Sequence, residues 1–88
     1  MRCNINFKKA TGFSVMMNIP QIAKMDDIIK EYFSVVGLPL VSFKGKKIYF
    51  LFNGRRINEN DLNRTAQEIG INQLSNITVI DTQNLIGA

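Results

Sequence analysis

Residues 48–57 read IYFLFNGRRI. Ile48 to Phe52 is an unbroken apolar run, short enough for a strand and apolar enough to be covered on at least one face. Asn53-Gly54 follows. It is the strongest short turn signal in the chain, because both residues tolerate positive φ and so suit a two-residue hairpin. Arg55 to Ile57 then leaves the turn as a short second strand. Strand alternation divides the apolar run: Ile48, Phe50 and Phe52 point one way, Tyr49 and Leu51 the other.

Upstream, the hydrophobic period changes twice. Met25, Ile28, Ile29, Tyr32, Phe33 and Val36 fall at i, i+3, i+4, i+7, i+8 and i+11, the stripe of an amphipathic helix. Gly37 supplies a left-handed stop and Pro39 prevents continuation. Asp26 and Lys30 stand at ion-pair spacing on its polar side. Before it, Ile5 and Phe7 alternate with Asn6 and Lys8. Phe13, Val15, Met17 and Ile19 share one parity after the turn Ala10-Thr11-Gly12. That is a β-hairpin, ended by Pro20, which has no N–H for the ladder. Leu40 to Phe43 reads as a short strand and Lys44-Gly45-Lys46 as a turn.

Downstream, Asn58 to Arg64 is a polar loop. Thr65 and Glu68 have capping-box spacing, so each side chain closes the other's unpaired N–H at the start of a brief helix. Gly70 ends that helix, Ile71 and Leu74 are expected to anchor the next loop, and Asn76 to Asp81 is the last strand. The order is β-β-α-β-β-short helix-β. It predicts an α+β fold: a mixed sheet of four to five strands on one main helix (about 25–36), with a helical turn at about 66–70. The last strand is expected to lie parallel to the first.

The composition bounds the chemistry. The chain has 88 residues, 45% of them hydrophobic, enough for one domain but little more. It has no histidine and one cysteine, which removes histidine bases, Cys–His pairs, thiolate clusters and internal disulfides. Cys3, beside the first strand, reads as a core or edge residue. Asp26 and Asp27 are adjacent, so on a helix they diverge rather than converge on a metal. No enzyme activity, metal, cofactor or small-molecule substrate is expected. The net charge of +4 is modest. Lys44, Lys46 and Lys47 read as a solvated basic loop, so nucleic acid is not an expected partner. There is no secretory signal pattern and no apolar run of a membrane span's length. An intracellular, cytoplasmic setting is expected, with organelle import left open.

These residues resemble the ubiquitin-like β-grasp family over roughly residues 5 to 81. The resemblance is carried by the hairpin INFKKATGFSVMMNI, the helix exit Gly37-Leu38-Pro39, the strand–turn–strand IYFLFNGRRI, and RTAQEIGINQLSNITVI with its Thr-capped helix, Gly-Ile exit and last strand. Three features depart from the pattern: a longer 40–47 segment, a longer NENDLNR loop, and the C-terminal residues. The resemblance implies a domain over 1–82 and a short tail over 83–88.

The resemblance also implies a binding face. Ubiquitin carries a small apolar patch on its third and fifth strands. The matching positions here are Leu51, Thr78 and Ile80, with Ala10 in the hairpin turn and Arg55 expected at the rim. Alternation adds Tyr49, so Tyr49, Leu51 and Ile80 are expected to form an exposed apolar patch. Conjugated members end in Gly-Gly, because the C-terminus must thread narrow enzyme channels where a Cβ would clash. This sequence ends Leu85-Ile86-Gly87-Ala88 and holds no Gly-Gly pair. The expected function is therefore a non-catalytic protein-binding module that is not conjugated, a stand-alone adaptor or a subunit of a larger assembly. Leu85 and Ile86 are expected to contact a neighbouring protein. The alternative is a covalent modifier with an atypical Gly-Ala tail.

Overall fold

The computed structural model describes residues 2–37 and 48–81. The expected strand at 40–43, the basic turn at 44–47 and the tail at 83–88 lie outside them. Five strands form one mixed sheet in the order β2-β1-β5-β3-β4. They are β1 (Arg2–Lys9), β2 (Ser14–Pro20), β3 (Ile48–Phe52), β4 (Arg55–Arg56) and β5 (Ser75–Asp81). The main helix, α1, spans Met25–Val36, and a short helix, α2, spans Ala66–Ile69.

β1 and β2 are antiparallel, with Ile5 opposite Met17 and Phe7 opposite Val15. Their loop closes when Lys9 N–H donates to the Phe13 carbonyl at 2.8 Å and Gly12 N–H to the Lys9 carbonyl at 3.0 Å. Gly12 takes φ 95°, the left-handed residue that a three-residue hairpin loop requires. β1 begins three residues earlier than alternation alone suggests, because Arg2 and Cys3 pair with Pro20 and Ile19. Cys3 is buried there as a core residue. Phe13 precedes β2, and its side chain is 56% exposed rather than buried with those of Met17 and Ile19.

α1 buries Met25, Ile28, Ile29, Tyr32 and Phe33 against the sheet, and Gly37 ends it at φ 75°. Its first turn has no side-chain cap. Instead Met25 N–H donates to the Arg64 carbonyl at 2.8 Å and Asp26 N–H to the Leu62 carbonyl at 3.0 Å. In return, Ala66 and Gln67 N–H donate to the Ala23 and Gln21 carbonyls. The two helix starts thus satisfy each other's unpaired donors through loop backbone, which fixes the long polar loop in place. That loop contains one turn of 3-10 helix, Glu59–Asp61.

The capping box forms as its spacing implies. Glu68 N–H donates to Thr65 Oγ1 at 3.1 Å, and Thr65 N–H to Glu68 Oε1 at 2.8 Å. The Thr65 N–H bond favours the charged carboxylate, so the Glu68 pKa is lowered, with hydrogen bonding from the Thr65 side chain adding to the shift. Ile71 is buried as an anchor, but Leu74 is not. Leu74 takes φ 64°, and its side chain is exposed. It is the Leu74 backbone N–H that holds the loop, donating to the Asn4 carbonyl at 2.7 Å.

β5 runs parallel to β1, with Phe7 beside Ile77, and antiparallel to β3, with Phe50 opposite Val79. The core lies between this sheet and α1. Phe7 stacks on Tyr32 with ring centroids 4.6 Å apart, and Phe50 meets both rings edge-on at 6.1 and 5.7 Å. Burial raises the Tyr32 pKa, with Asp81 adding to the shift.

Candidate protein-binding face

α1 covers one side of the sheet, and among the described residues no helix covers the other. The pairing of β3 with β5 sets what that open side shows. Tyr49 stands opposite Ile80 and Leu51 opposite Thr78. Thr78 in turn stands beside Lys8 of β1. Thr78 is exposed; Tyr49, Leu51 and Ile80 are half-buried, less open than alternation alone implies. Ala10 is exposed in the hairpin turn. It is one residue beyond Lys9, which pairs with Val79, so it leaves β1 level with Ile80.

The Asn53-Gly54 turn decides which arginine joins them. Asn53 and Gly54 take φ 53° and 77°, a two-residue hairpin loop. Phe52 therefore pairs with Arg55 and Leu51 with Arg56. Paired residues share a face, so Arg55 is set on the side of buried Phe52, though at the sheet edge and exposed. Arg56 is on the side of Leu51. Its guanidinium carbon lies 4.3 Å from the Tyr49 ring centroid, a cation–π contact. Arg56 is the member that the sequence reading left out.

Apart from the exposed Met16, the rest of the open face is polar and short of negative charge. Asn18 Nδ2 donates to Asn4 Oδ1 at 2.8 Å, and Asn6 Nδ2 to Asn76 Oδ1 at 3.3 Å. These pairs tie β2, β1 and β5 together on the side away from the core. Asp81 shares the inward parity of Ile77 and Val79 and lies 3.9 Å from Lys9. Lys8 and Arg56 are thus the charges that flank Thr78 and Leu51. Among the described residues no three His, Cys, Asp or Glu side chains gather as a metal site would need. No described helix is long and apolar enough to cross a membrane. Leu85 and Ile86 lie outside the described residues.

No family model matches the chain, and no curated protein matches it by sequence. Solved structures do match. The ubiquitin of Caldiarchaeum subterraneum superposes with a TM-score of 0.74 at 13% identity, over 92% of this chain and 94% of that one. The ubiquitin-like domain of an Arabidopsis thaliana protein gives 0.74 at 15% identity, over 92% and 78%. A chain from a structure described as molecular mimicry of SUMO that promotes DNA repair gives 0.71 at 16% identity, over 90% of each. The fold is the ubiquitin-like β-grasp. At such identities the likeness is one of fold, and any role for this ubiquitin-like domain must be argued from its own residues.

Proposed function

We propose that the chain is a non-catalytic ubiquitin-like protein-binding module that grips its partner with the open face of β3 and β5. It acts as a stand-alone adaptor or as a subunit of a larger assembly. The observation that supports this is the pair Tyr49 and Ile80 with Arg56 laid over the tyrosine ring. Tyrosine and arginine are the side chains that most often anchor interfaces, and here they adjoin an aliphatic pair. The partner this face suits has an apolar centre and an acidic rim, to meet Lys8 and Arg56. Thr78 and Ala10 extend the contact area, Arg55 borders it at the sheet edge, and Leu85 and Ile86 add a tail contact.

An N-terminally tagged copy recovered from its own cells tests the reading. A discrete complex under native conditions that collapses to a single chain on denaturation supports it. The Tyr49→Ser/Ile80→Ser double variant is then expected to lose the complex while keeping its circular dichroism spectrum. A ladder that survives denaturation would instead mark a covalent modifier and overturn the reading.

A further inference from the structure

Within the described sheet, the two edge strands differ. β4 is two residues long and both are arginine, so that edge is blunted by shortness and charge. β2 is seven residues, SVMMNIP, with no charged side chain. Lys9 and Phe13 form a hydrogen-bonded pair at the head of the hairpin. By alternation, Val15, Met17 and Ile19 also bond to β1, while the N–H and C=O groups of Ser14, Met16 and Asn18 face outward. Arg2 Nη2 donates to the Asn18 carbonyl at 3.0 Å, which leaves that oxygen a second lone pair. The two large apolar side chains beside this edge, Phe13 and Met16, are each 56% exposed.

The two ends of β2 differ in shape. At its start, the Phe13 ring stands out with the Lys9 ammonium 5.9 Å from its centroid. At its end, a cleft of about 360 Å³ opens between β2 and α1. Ile19, Pro20, Ala23 and Ile28 give it apolar lining, Asp27 and Glu31 line it with carboxylates, and Arg2 and Asn18 complete its polar lining. Phe13 has the parity of Ile19, so ring and cleft are on the same side of the sheet.

We propose that two copies of this chain pair antiparallel along β2, each placing Phe13 in the other's cleft. A projection at one end of a strand and a matching hollow at the other is what a two-fold, isologous contact needs. The register follows from the outward groups. Met16 lies on the axis opposite its own counterpart, and Ser14 pairs with Asn18. Phe13 then falls opposite Ile19 in a non-hydrogen-bonded pair, where side chains approach most closely. The same placement brings the Lys9 that accompanies each ring towards Asp27 and Glu31 of the other copy. Pro20, with no N–H, ends the ladder. The pairing leaves Ile80 and Tyr49, two and three strands away in the sheet order, uncovered, so it stands or falls separately from the proposed function.

Sedimentation equilibrium of the full chain over a dilution series reaching millimolar tests it. The expected result is a reversible species of twice the chain mass, weakened roughly tenfold or more by Phe13→Asp. Phe13 lies outside the core, so that variant is expected to keep the wild-type melting curve. In a Cys3→Ala background, Met16→Cys is expected to form an intermolecular disulfide on mild oxidation, while Val35→Cys, exposed on α1, does not. A chain that stays monomeric at millimolar concentration overturns the proposal. So does a dimer that ignores Phe13→Asp and gives no Met16→Cys disulfide.

Discussion

Arg56 and Tyr49 are seven positions apart in sequence, yet the arginine guanidinium carbon lies 4.3 Å from the centroid of the tyrosine ring. The contact arises because a two-residue turn sets Arg56 opposite Leu51, beside Tyr49 on the same face. A cation over a partly exposed ring contributes about 0.5–1 kcal/mol. A double-mutant cycle of Tyr49→Leu and Arg56→Gln in urea unfolding is expected to give a coupling energy of that size. Arg56→Lys is expected to keep the charge but lose part of the coupling, since a compact ammonium stacks less well than a planar guanidinium. Arg55→Gln, on the other side of the strand pair, is expected to show no coupling to Tyr49.

The start of α2 rests on one reciprocal pair. Thr65 Oγ1 accepts the Glu68 N–H and Glu68 Oε1 accepts the Thr65 N–H. Thr65→Ala removes the hydroxyl and is expected to destabilise the domain by about 1 kcal/mol, measured as a lower urea midpoint at unchanged slope. Thr65→Ser is expected to restore most of the loss.

Much of this fold was legible in local pattern, and its exceptions share a cause. The α1 stripe, the Thr65–Glu68 box and the Asn53-Gly54 turn each involve residues a few positions apart, so spacing alone declares them. The start of α1 is different. Its donors are met by the carbonyls of Leu62 and Arg64, distant in sequence and reached through backbone, and no side-chain signal marks them. Leu74 misled for a related reason: its backbone, not its apolar side chain, makes the anchoring contact with Asn4. The candidate face was half legible. Alternation put Tyr49, Leu51 and Ile80 on one side, but the choice between Arg55 and Arg56 depends on counting the ladder across the turn. Matching by the position of Gly54 alone does not do that.

Acid is expected to weaken the domain through two carboxylates. The Glu68 pKa is lowered from its ordinary 4.5, first by the Thr65 backbone N–H. The Asp61 pKa is lowered from 3.8, first by the Asn58 backbone N–H, with Arg64 adding to it. A carboxylate whose pKa falls on folding stabilises the native state fully above its ordinary value, and the contribution disappears as pH falls through the lowered one. Wild-type stability is therefore expected to decline from about pH 5 downward. Glu68→Gln is expected to flatten part of that decline, so the two proteins converge in acid. Urea midpoints measured from pH 7 to pH 2.5 check this; parallel curves would remove Glu68 from the account.

The aromatic cluster sets the largest single cost. Phe50 is fully buried and meets Phe7 and Tyr32 edge-on, at 6.1 and 5.7 Å between centroids. It is on β3, while Phe7 is on β1 and Tyr32 on α1, so one ring joins the two halves of the sheet to the helix. Phe50→Ala is expected to cost about 3–5 kcal/mol, from lost burial and from a cavity that three rigid elements cannot close. Phe50→Leu keeps most of the volume and is expected to cost less. Leu51 is one residue further along β3 but points to the open side. Leu51→Ala is therefore expected to cost far less than Phe50→Ala. If the two variants prove equally destabilising in urea, the β3 register described here is wrong, and the placement of Tyr49 beside Ile80 is wrong with it.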